Sequence, residues 1–263
     1  MFADRYPMFQ KGRILKTEML ESLRDYPRHV IDLYWSGYSD GILAGAEVRT
    51  SDEGSLTITQ GIVKHGGHLY VLAADCKLPY KATGRDLVVK LQFQESATRG
   101  DMVCYESEIV LDDHVELRPN ELELGRFKLK EGARLRSDYQ SFADMATEYN
   151  TINLLHTEYA GRGRSTLAPA VIHYYAAELL KTGSSDIYDI AFAMQCMNSG
   201  TVERQVIEHY IAHRLRIERK DYSNVQLHRF LVRVLDESGS GGGRSGGMRS
   251  DYRHGGPQRV LVD

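Results

Sequence analysis

The chain is poor in the residues that staple or stiffen small folds: 263 residues carry three cysteines, six prolines and one tryptophan. Cys76, Cys104 and Cys196 lie far apart and are odd in number, which excludes a disulfide framework and predicts free thiols in a reducing compartment. At this length a hydrophobic core suffices without bridges or metals. No run of about 18 uninterrupted apolar residues occurs, which excludes a membrane-spanning helix from the sequence pattern. The start, Met1-Phe2-Ala3-Asp4-Arg5-Tyr6-Pro7, has no apolar segment behind a basic head, so a cytoplasmic protein without Sec export is expected. No excess of one charge is present either. A net charge of −3 gives no general pull toward phosphate backbones or anionic lipid, so neither nucleic acid nor membrane is an expected partner. No period of 20 to 50 residues repeats, which excludes solenoids and propellers.

What is present is an ordinary globular composition, 42% hydrophobic and 26% charged, arranged with a change of period along the chain. Residues 12–25 set Ile14, Leu15, Leu20 and Leu23 among charged neighbours and predict a short amphipathic helix that Pro27 stops. Tyr34, Trp35 and Tyr38 follow in a glycine-punctuated segment that reads as a loop with aromatic anchors.

From about residue 42 the period is two. Leu56 and Ile58 alternate with threonines, and Gln60-Gly61-Ile62-Val63, His65-Gly66-Gly67-His68 and Leu69-Tyr70-Val71-Leu72 spell a hairpin with a glycine pair at its turn. Alternation returns in Leu87, Val89, Leu91 and Phe93, in Tyr105, Ser107, Ile109 and Leu111, and in Leu122, Leu124, Phe127 and Leu129, where a change of phase at Gly125 predicts a bulge. Glu121, Glu123, Arg126, Lys128 and Lys130 read as the solvated face of that last strand.

Beyond residue 137 the period is helical. A helix capped by Ser137 or Asp138 is expected to carry Phe142, Met145, Tyr149 and Ile152; a second starts at Pro169, carries Val171, Ile172, Tyr175 and Leu179 and ends by Gly183. Asp186 introduces Ile187, Ile190, Ala191 and Met194; Thr201 introduces Val202, Val206, Ile207, Tyr210 and Ile211; Ser223-Asn224 introduces Leu227, Phe230, Leu231 and Val234. The expected class is α+β: an antiparallel β-sandwich or barrel-like N-terminal domain followed by an α-helical bundle domain. The expected boundaries are a docking segment over 1–40, a β-rich domain over 41–134, a helical domain over 135–237 and a disordered Gly/Arg tail over 238–263.

Candidate chemistry is sparse. Gly161-Arg162-Gly163-Arg164-Ser165-Thr166 is a glycine-rich turn before a helix, but Glu158 stands where a phosphate loop needs its first glycine, and Arg164 replaces the lysine. His209 and His213 share a helix face at metal-ligand spacing, yet Tyr210 occupies the place of a catalytic glutamate. His65 and His68 flank the hairpin turn, and Asp112-Asp113-His114 puts titratable groups at a strand end, where turn residues are the usual explanation. No Gly-x-Ser-x-Gly elbow and no cysteine-protease signature occur. The expectation is therefore no enzyme, no cofactor and no metal. Arg244, Arg249, Arg253 and Arg259 leave an alternative, a nucleic-acid-associated protein using these tail arginines and the Arg214–Lys220 surface.

The front half resembles a known family. Gly41-Ile42-Leu43-Ala44-Gly45-Ala46, Leu56-Thr57-Ile58-Thr59-Gln60-Gly61-Ile62-Val63-Lys64 and Gly67-His68-Leu69-Tyr70-Val71-Leu72 resemble the β-modules of phage baseplate and tail-fibre attachment proteins. The stretches Phe9-Gln10-Lys11-Gly12-Arg13-Ile14-Leu15-Lys16 and Phe127-Lys128-Leu129-Lys130-Glu131-Gly132-Ala133-Arg134 are similar to a protein found with phage-tail-like contractile injection clusters. The resemblance implies a multi-copy structural protein that docks on other baseplate or tail proteins and is incorporated into a phage-tail-like particle. It carries no active-site residues. The docking residues expected from the sequence are Ile14, Leu15, Leu20, Leu23, Tyr34, Trp35 and Tyr38.

Overall fold

The structure is a computed structural model that describes residues 3–241 except 5, 52, 53, 137 and 148. The Gly/Arg tail beyond Gly241, with its four arginines, and the expected cap Ser137 lie outside the described residues. Helix α1 spans Thr17–Trp35. Eleven short strands follow: β1 (Gly41–Gly45), β2 (Val48–Ser51), β3 (Ser55–Ile58), β4 (Gly61–His65), β5 (His68–Leu72), β6 (Cys76–Pro79), β7 (Asp86–Phe93), β8 (Ala97–Arg99), β9 (Met102–Cys104), β10 (Ser107–Asp112) and β11 (Glu121–Lys128). Helices α2 (Pro169–Lys181), α3 (Ile187–Asn198), α4 (Arg204–Leu215) and α5 (Asn224–Gly241) complete the chain, and the class is α+β.

The strands form small antiparallel sheets in the orders β1-β4-β5, β10-β7-β11, β2-β3-β6 and β8-β9, and among the described residues none closes into a barrel. The expected hairpin is the β4–β5 pair, closed by His65 opposite His68 over Gly66 and Gly67 at φ 56° and 81°, values that favour glycine. The expected bulge is present: the β11–β7 register shifts between Glu123 and Gly125. The first two sheets meet where His65 stacks on Phe93 at 3.9 Å and Tyr70 approaches the same ring at 4.7 Å. One hydrophobic core runs from Ile42 and Leu56 through Val89 and Leu124 to Ile172, Ile211 and Leu231.

Several expectations are corrected here. Pro27 lies inside α1 and does not stop it, and the helix runs ten residues past the expected end to Trp35. The whole helix is on the surface, so the carbonyl that Pro27 leaves without a donor is open to water, which lowers the usual cost of an interior proline. Trp35 is thus the last helical residue and the loop starts at Ser36.

The helix expected over 137–152 is only a 3-10 turn, Ala143–Ala146. Phe142, Met145 and Ile152 are buried as expected, but the first two at that turn and Ile152 in a segment beside β11, where Arg126 bridges Asn153 and Arg136 bridges Thr151. Local side-chain bonds outcompete the helix: Asp144 accepts from the Gln140 N–H at 2.8 Å and from Thr147 Oγ1 at 2.6 Å, and Asn150 sits at φ 62°.

The supposedly solvated face of β11 is largely covered by that same segment. Ile152 and Leu154 pack on Gly125, and Glu121 and Glu123 are buried. Each acid has a cation: Lys90 Nζ lies 3.1 Å from Glu121, and Arg126 Nη2 lies 2.5 Å from Glu123.

In the helical half, Pro169 opens α2, Gly183 at φ 68° follows its end, and Asp186 caps α3 by accepting from Tyr188 N at 2.8 Å. Ser223 and Gln226 cap α5 reciprocally, with Ser223 N donating to Gln226 Oε1 at 2.8 Å and Gln226 N to Ser223 Oγ at 3.3 Å. Helix α4 starts at Arg204 behind Glu203, not behind Thr201. In α3 the core face is Asp189, Phe192, Ala193 and Cys196, while Ile187, Ile190, Ala191 and Met194 face outward. Both faces are apolar, so periodicity alone selects the wrong one.

Helix α5 continues through Ser238, which is buried, accepts from Arg214 Nη2 at 3.1 Å and donates to Asp189 at 3.3 Å. The tail therefore does not begin at 238. Ser238→Ala is expected to cost about 2 kcal/mol, the net value of a hydrogen bond to a charged group, read as a lowered urea midpoint.

Candidate docking surface

Helix α1 leans on almost nothing. None of its residues is buried, and Leu20, Leu23, Tyr26, Val30, Ile31, Leu33 and Tyr34 are exposed, as are Ile14 and Leu15 before it, Ile14 at 86%. Leu20, Leu23, Pro27, Val30 and Tyr34 recur at spacings of three and four and form one stripe. The polar residues Glu18, Glu21, Asp25, Arg28 and Asp32 lie on the other side, where Asp25 pairs with Arg24 at 2.6 Å.

Among the described residues, the hydrogen bonds from the helix to the body lie at its C-terminal end. Lys64, from β4, donates to Trp35 O at 2.9 Å and to Tyr38 O, placing an ammonium where the helix dipole is negative. Ser39 N donates to Gly161 O and Gly163 N to Gly37 O, both at 2.9 Å, and the Arg162 guanidinium lies over the Tyr38 ring at 5.9 Å. The sequence-predicted docking residues thus fall into two groups. Ile14, Leu15, Leu20 and Leu23 are exposed, and so is Tyr34 although its ring meets Trp35 edge on at 4.8 Å, whereas Trp35 and Tyr38 are half-buried and packed edge to face at 4.8 Å where the helix joins the body. Sequence reasoning missed Val30, Ile31 and Leu33 because it ended the helix at Pro27. Their continuation of the same spacing was the signal available.

The other candidates are engaged within the fold. In the 161–166 loop, Arg162 N donates to Glu203 Oε2 at 2.9 Å, Thr166 Oγ1 to Val202 O at 2.5 Å, and Arg204 Nε to Ser165 O at 2.5 Å. Arg164 pairs with Asp221 and lies 3.5 Å from Glu208. A carboxylate occupies the N–H that a phosphate would need. His209 meets Arg219 at 2.6 Å, and His213 stacks on Tyr188 at 3.9 Å. His68 stacks on Tyr105 at 3.8 Å.

Asp112, Asp113 and His114 do come together, His114 Nδ1 lying 3.3 Å and 3.2 Å from the two carboxylates. Asp112, however, is committed inward to Lys90 Nζ at 3.0 Å. The His114 N–H donates to Asp112, and this bond with the Lys90 ammonium outweighs burial and holds the carboxyl down at about 2. Burial pushes the Cys196 thiol up to about 12, so it packs as an apolar group.

Clefts indent the body, two of them near 800 Å³. One of about 830 Å³ separates the free edges of β5 and β10 and is lined by Tyr70, Leu72, Tyr105 and Ile109. Another of about 800 Å³ lies between β1 and the start of α2, beside the buried Thr157, whose hydroxyl has no hydrogen-bond partner. Among the described residues no helix is long and apolar enough to cross a membrane.

No family model and no curated protein matches this chain. Solved structures similar to it come from type VI secretion baseplates. The crystal structure of TssK matches at 10% identity with a TM-score of 0.42, over 89% of this chain and 72% of that one. A chain of the TssK-TssF-TssG baseplate subcomplex matches at 13% identity and 0.37, over 88% and 99%. A chain of the type VI secretion baseplate complex matches at 11% and 0.33, over 89% and 100%.

Proposed function

We propose that this chain is a non-catalytic assembly component of a contractile, phage-tail-like baseplate, present in several copies and acting by docking α1 into another baseplate component. The assembly is of the class that the sequence resemblance implies and that the TssK structures come from. One observation supports the docking reading: a 19-residue helix with an apolar stripe and no buried residue, held to the body at one end. Such a helix, with Pro27 inside it and no N-cap side-chain bond, is marginal in water on its own and gains stability when its stripe is covered. With Glu18, Glu21 and Asp32 against Arg28 on the polar face, the fitting partner is an apolar groove with a basic rim.

The test is reconstitution with the other baseplate components. Leu20→Asp combined with Leu23→Asp is expected to change unfolding free energy by less than about 0.5 kcal/mol, because both sites are on the surface. The same variant should weaken incorporation by about 30-fold or more, the consequence of losing a central apolar anchor. Unchanged incorporation would contradict the reading.

A further inference from the structure

The cleft between β5 and β10 has the form of a missing strand. β5 is an edge of the sheet β1-β4-β5 and β10 an edge of β10-β7-β11, so each has a ladder partner on one side only. The cleft, of about 830 Å³, is lined by the consecutive residues 69–72 and 105–109. Strand edges line a space in that way, whereas a sheet face offers alternate residues.

The hydrogen-bond phase of each ladder fixes which backbone groups face outward. The two-residue turn at Gly66-Gly67 makes His65 and His68 a hydrogen-bonded pair, so Tyr70 and Leu72 also bond to β4, and the N–H and C=O of Leu69 and Val71 point away from it. Ahead of β10, Gln94 N donates to Glu106 O at 2.9 Å, which puts Glu108 and Val110 in the bonded phase with β7 and turns the backbone of Ser107 and Ile109 outward. Among the described residues these four outward N–H groups have no acceptor.

Side chains define the occupant. On the inner face Tyr70, Leu72 and Ile109 pack against the core, and the buried Ile58, Val63 and Leu91 line the cleft, so side chains pointing inward must be apolar. On the outer face Val71 is 68% exposed, and Glu108 is exposed with no cation paired to it among the described residues, whereas Glu106 pairs with Arg99 at 2.7 Å. A lysine or arginine there lays its stem on Val71 and its cation against Glu108.

We propose that this cleft takes an extended segment of another protein, apolar-basic-apolar in sequence, as a strand added between β5 and β10. It is a receiving surface, independent of the helix α1 that the chain offers to a partner.

The probe is the capped peptide Ser-Val-Lys-Val-Ser, titrated into the isotope-labelled full chain and followed by amide resonances. The amides of Leu69, Val71, Ser107 and Ile109 are expected to exchange quickly with solvent in the free chain, to shift on titration and to exchange slowly in the complex. Replacing the peptide's lysine by glutamate should weaken binding about 5-fold or more, and Glu108→Lys, at an exposed site, should reverse that preference. Methylating the peptide's backbone nitrogens should abolish binding. No shift at these four amides with millimolar peptide, or a shift that survives backbone methylation, or a preference for lysine that Glu108→Lys leaves unchanged, would overturn the proposal. Slow exchange of these amides in the free chain, lost on dilution, would overturn it in favour of a second copy as the occupant.

Discussion

Replacing Lys90 by alanine is expected to lower the stability of the protein by about 3–5 kcal/mol at pH 7, a fall of roughly 10 °C in melting temperature for a chain of this size. Lys90 is 1% exposed in the middle of β7, and its ammonium donates to Asp112 at 3.0 Å, Glu121 at 3.1 Å and the Glu116 carbonyl at 3.0 Å. Burial alone would drive its proton off, but the two carboxylates outweigh burial and raise its pKa. Without Lys90, the buried Glu121 carboxylate keeps the Arg118 N–H and Gln92 as hydrogen-bond donors and, as a cation, the exposed Arg118 guanidinium at 4.0 Å.

The pH dependence has a definite sign. In the wild type Glu121 and Asp112 both have depressed pKa values, Asp112 at about 2, so their contribution is complete above the unfolded value near 4. It is lost as pH falls from about 4 toward 2. In Lys90→Ala the Glu121 carboxyl is expected to titrate above its unfolded value, so the deficit is largest at neutral pH and shrinks as pH falls through that raised pKa. Urea unfolding of both proteins at pH 7, at pH 4 and at about pH 2.5 reads both effects. A deficit independent of pH would mean that lost packing, not an orphaned charge, is the cause.

Asp189→Ala is expected to cost about 3 kcal/mol, through the helical half. This carboxylate, 1% exposed in α3, accepts from Tyr210 at 2.8 Å and Ser184 at 2.6 Å, and lies 2.7 Å from Arg214 Nε. It joins α3, α4 and α5 at one point, since Ser238 also reaches it. Removing it takes the acceptor from the Ser184 hydroxyl and a carboxylate from the half-buried Arg214 guanidinium, each worth one to two kcal/mol to satisfy, roughly, while the buried Tyr210 and Ser238 hydroxyls keep Tyr175 and Arg214 as partners. Arg214 retains Asp186 at 3.1 Å, which keeps the loss below that of Lys90→Ala. Asp189→Asn, which preserves an acceptor for Tyr210, should recover part of the loss in the same denaturation assay.

Strands with one buried face were legible because a period of two then has one meaning, as in Leu56 and Ile58; in β7 the apolar alternation of Leu87, Val89, Leu91 and Phe93 also marked the strand, although Val88 and Lys90 between them are buried too. Capped helices were legible for the same local reason, with Pro169, Asp186 and Ser223 each supplying what a helix start lacks. The failures share one cause, in that sequence periodicity says which residues are apolar but not what covers them. Phe142, Met145 and Ile152 have helical spacing and are buried, yet the chain places the first two at a single 3-10 turn and Ile152 in a segment running beside β11. Glu121 and Glu123 read as solvent-facing because their cations come from Lys90, some thirty residues away, and from Arg126, brought round by the bulge. The outer stripe of α3 is written in the same residue types as a core, and only packing distinguishes them. On α1 the apolar stripe was visible as far as Leu23, and Pro27 hid the rest.

The measurement that bears most directly on the docking account is amide hydrogen exchange across residues 17–35, in the free chain and in the chain assembled with the other baseplate components. In the free chain these amides are expected to exchange far faster than those of α2 or α5, since α1 has no buried side chain, and to slow markedly on assembly. Equal exchange in the two states would contradict the account, because a docked helix cannot keep the exposure of a free one.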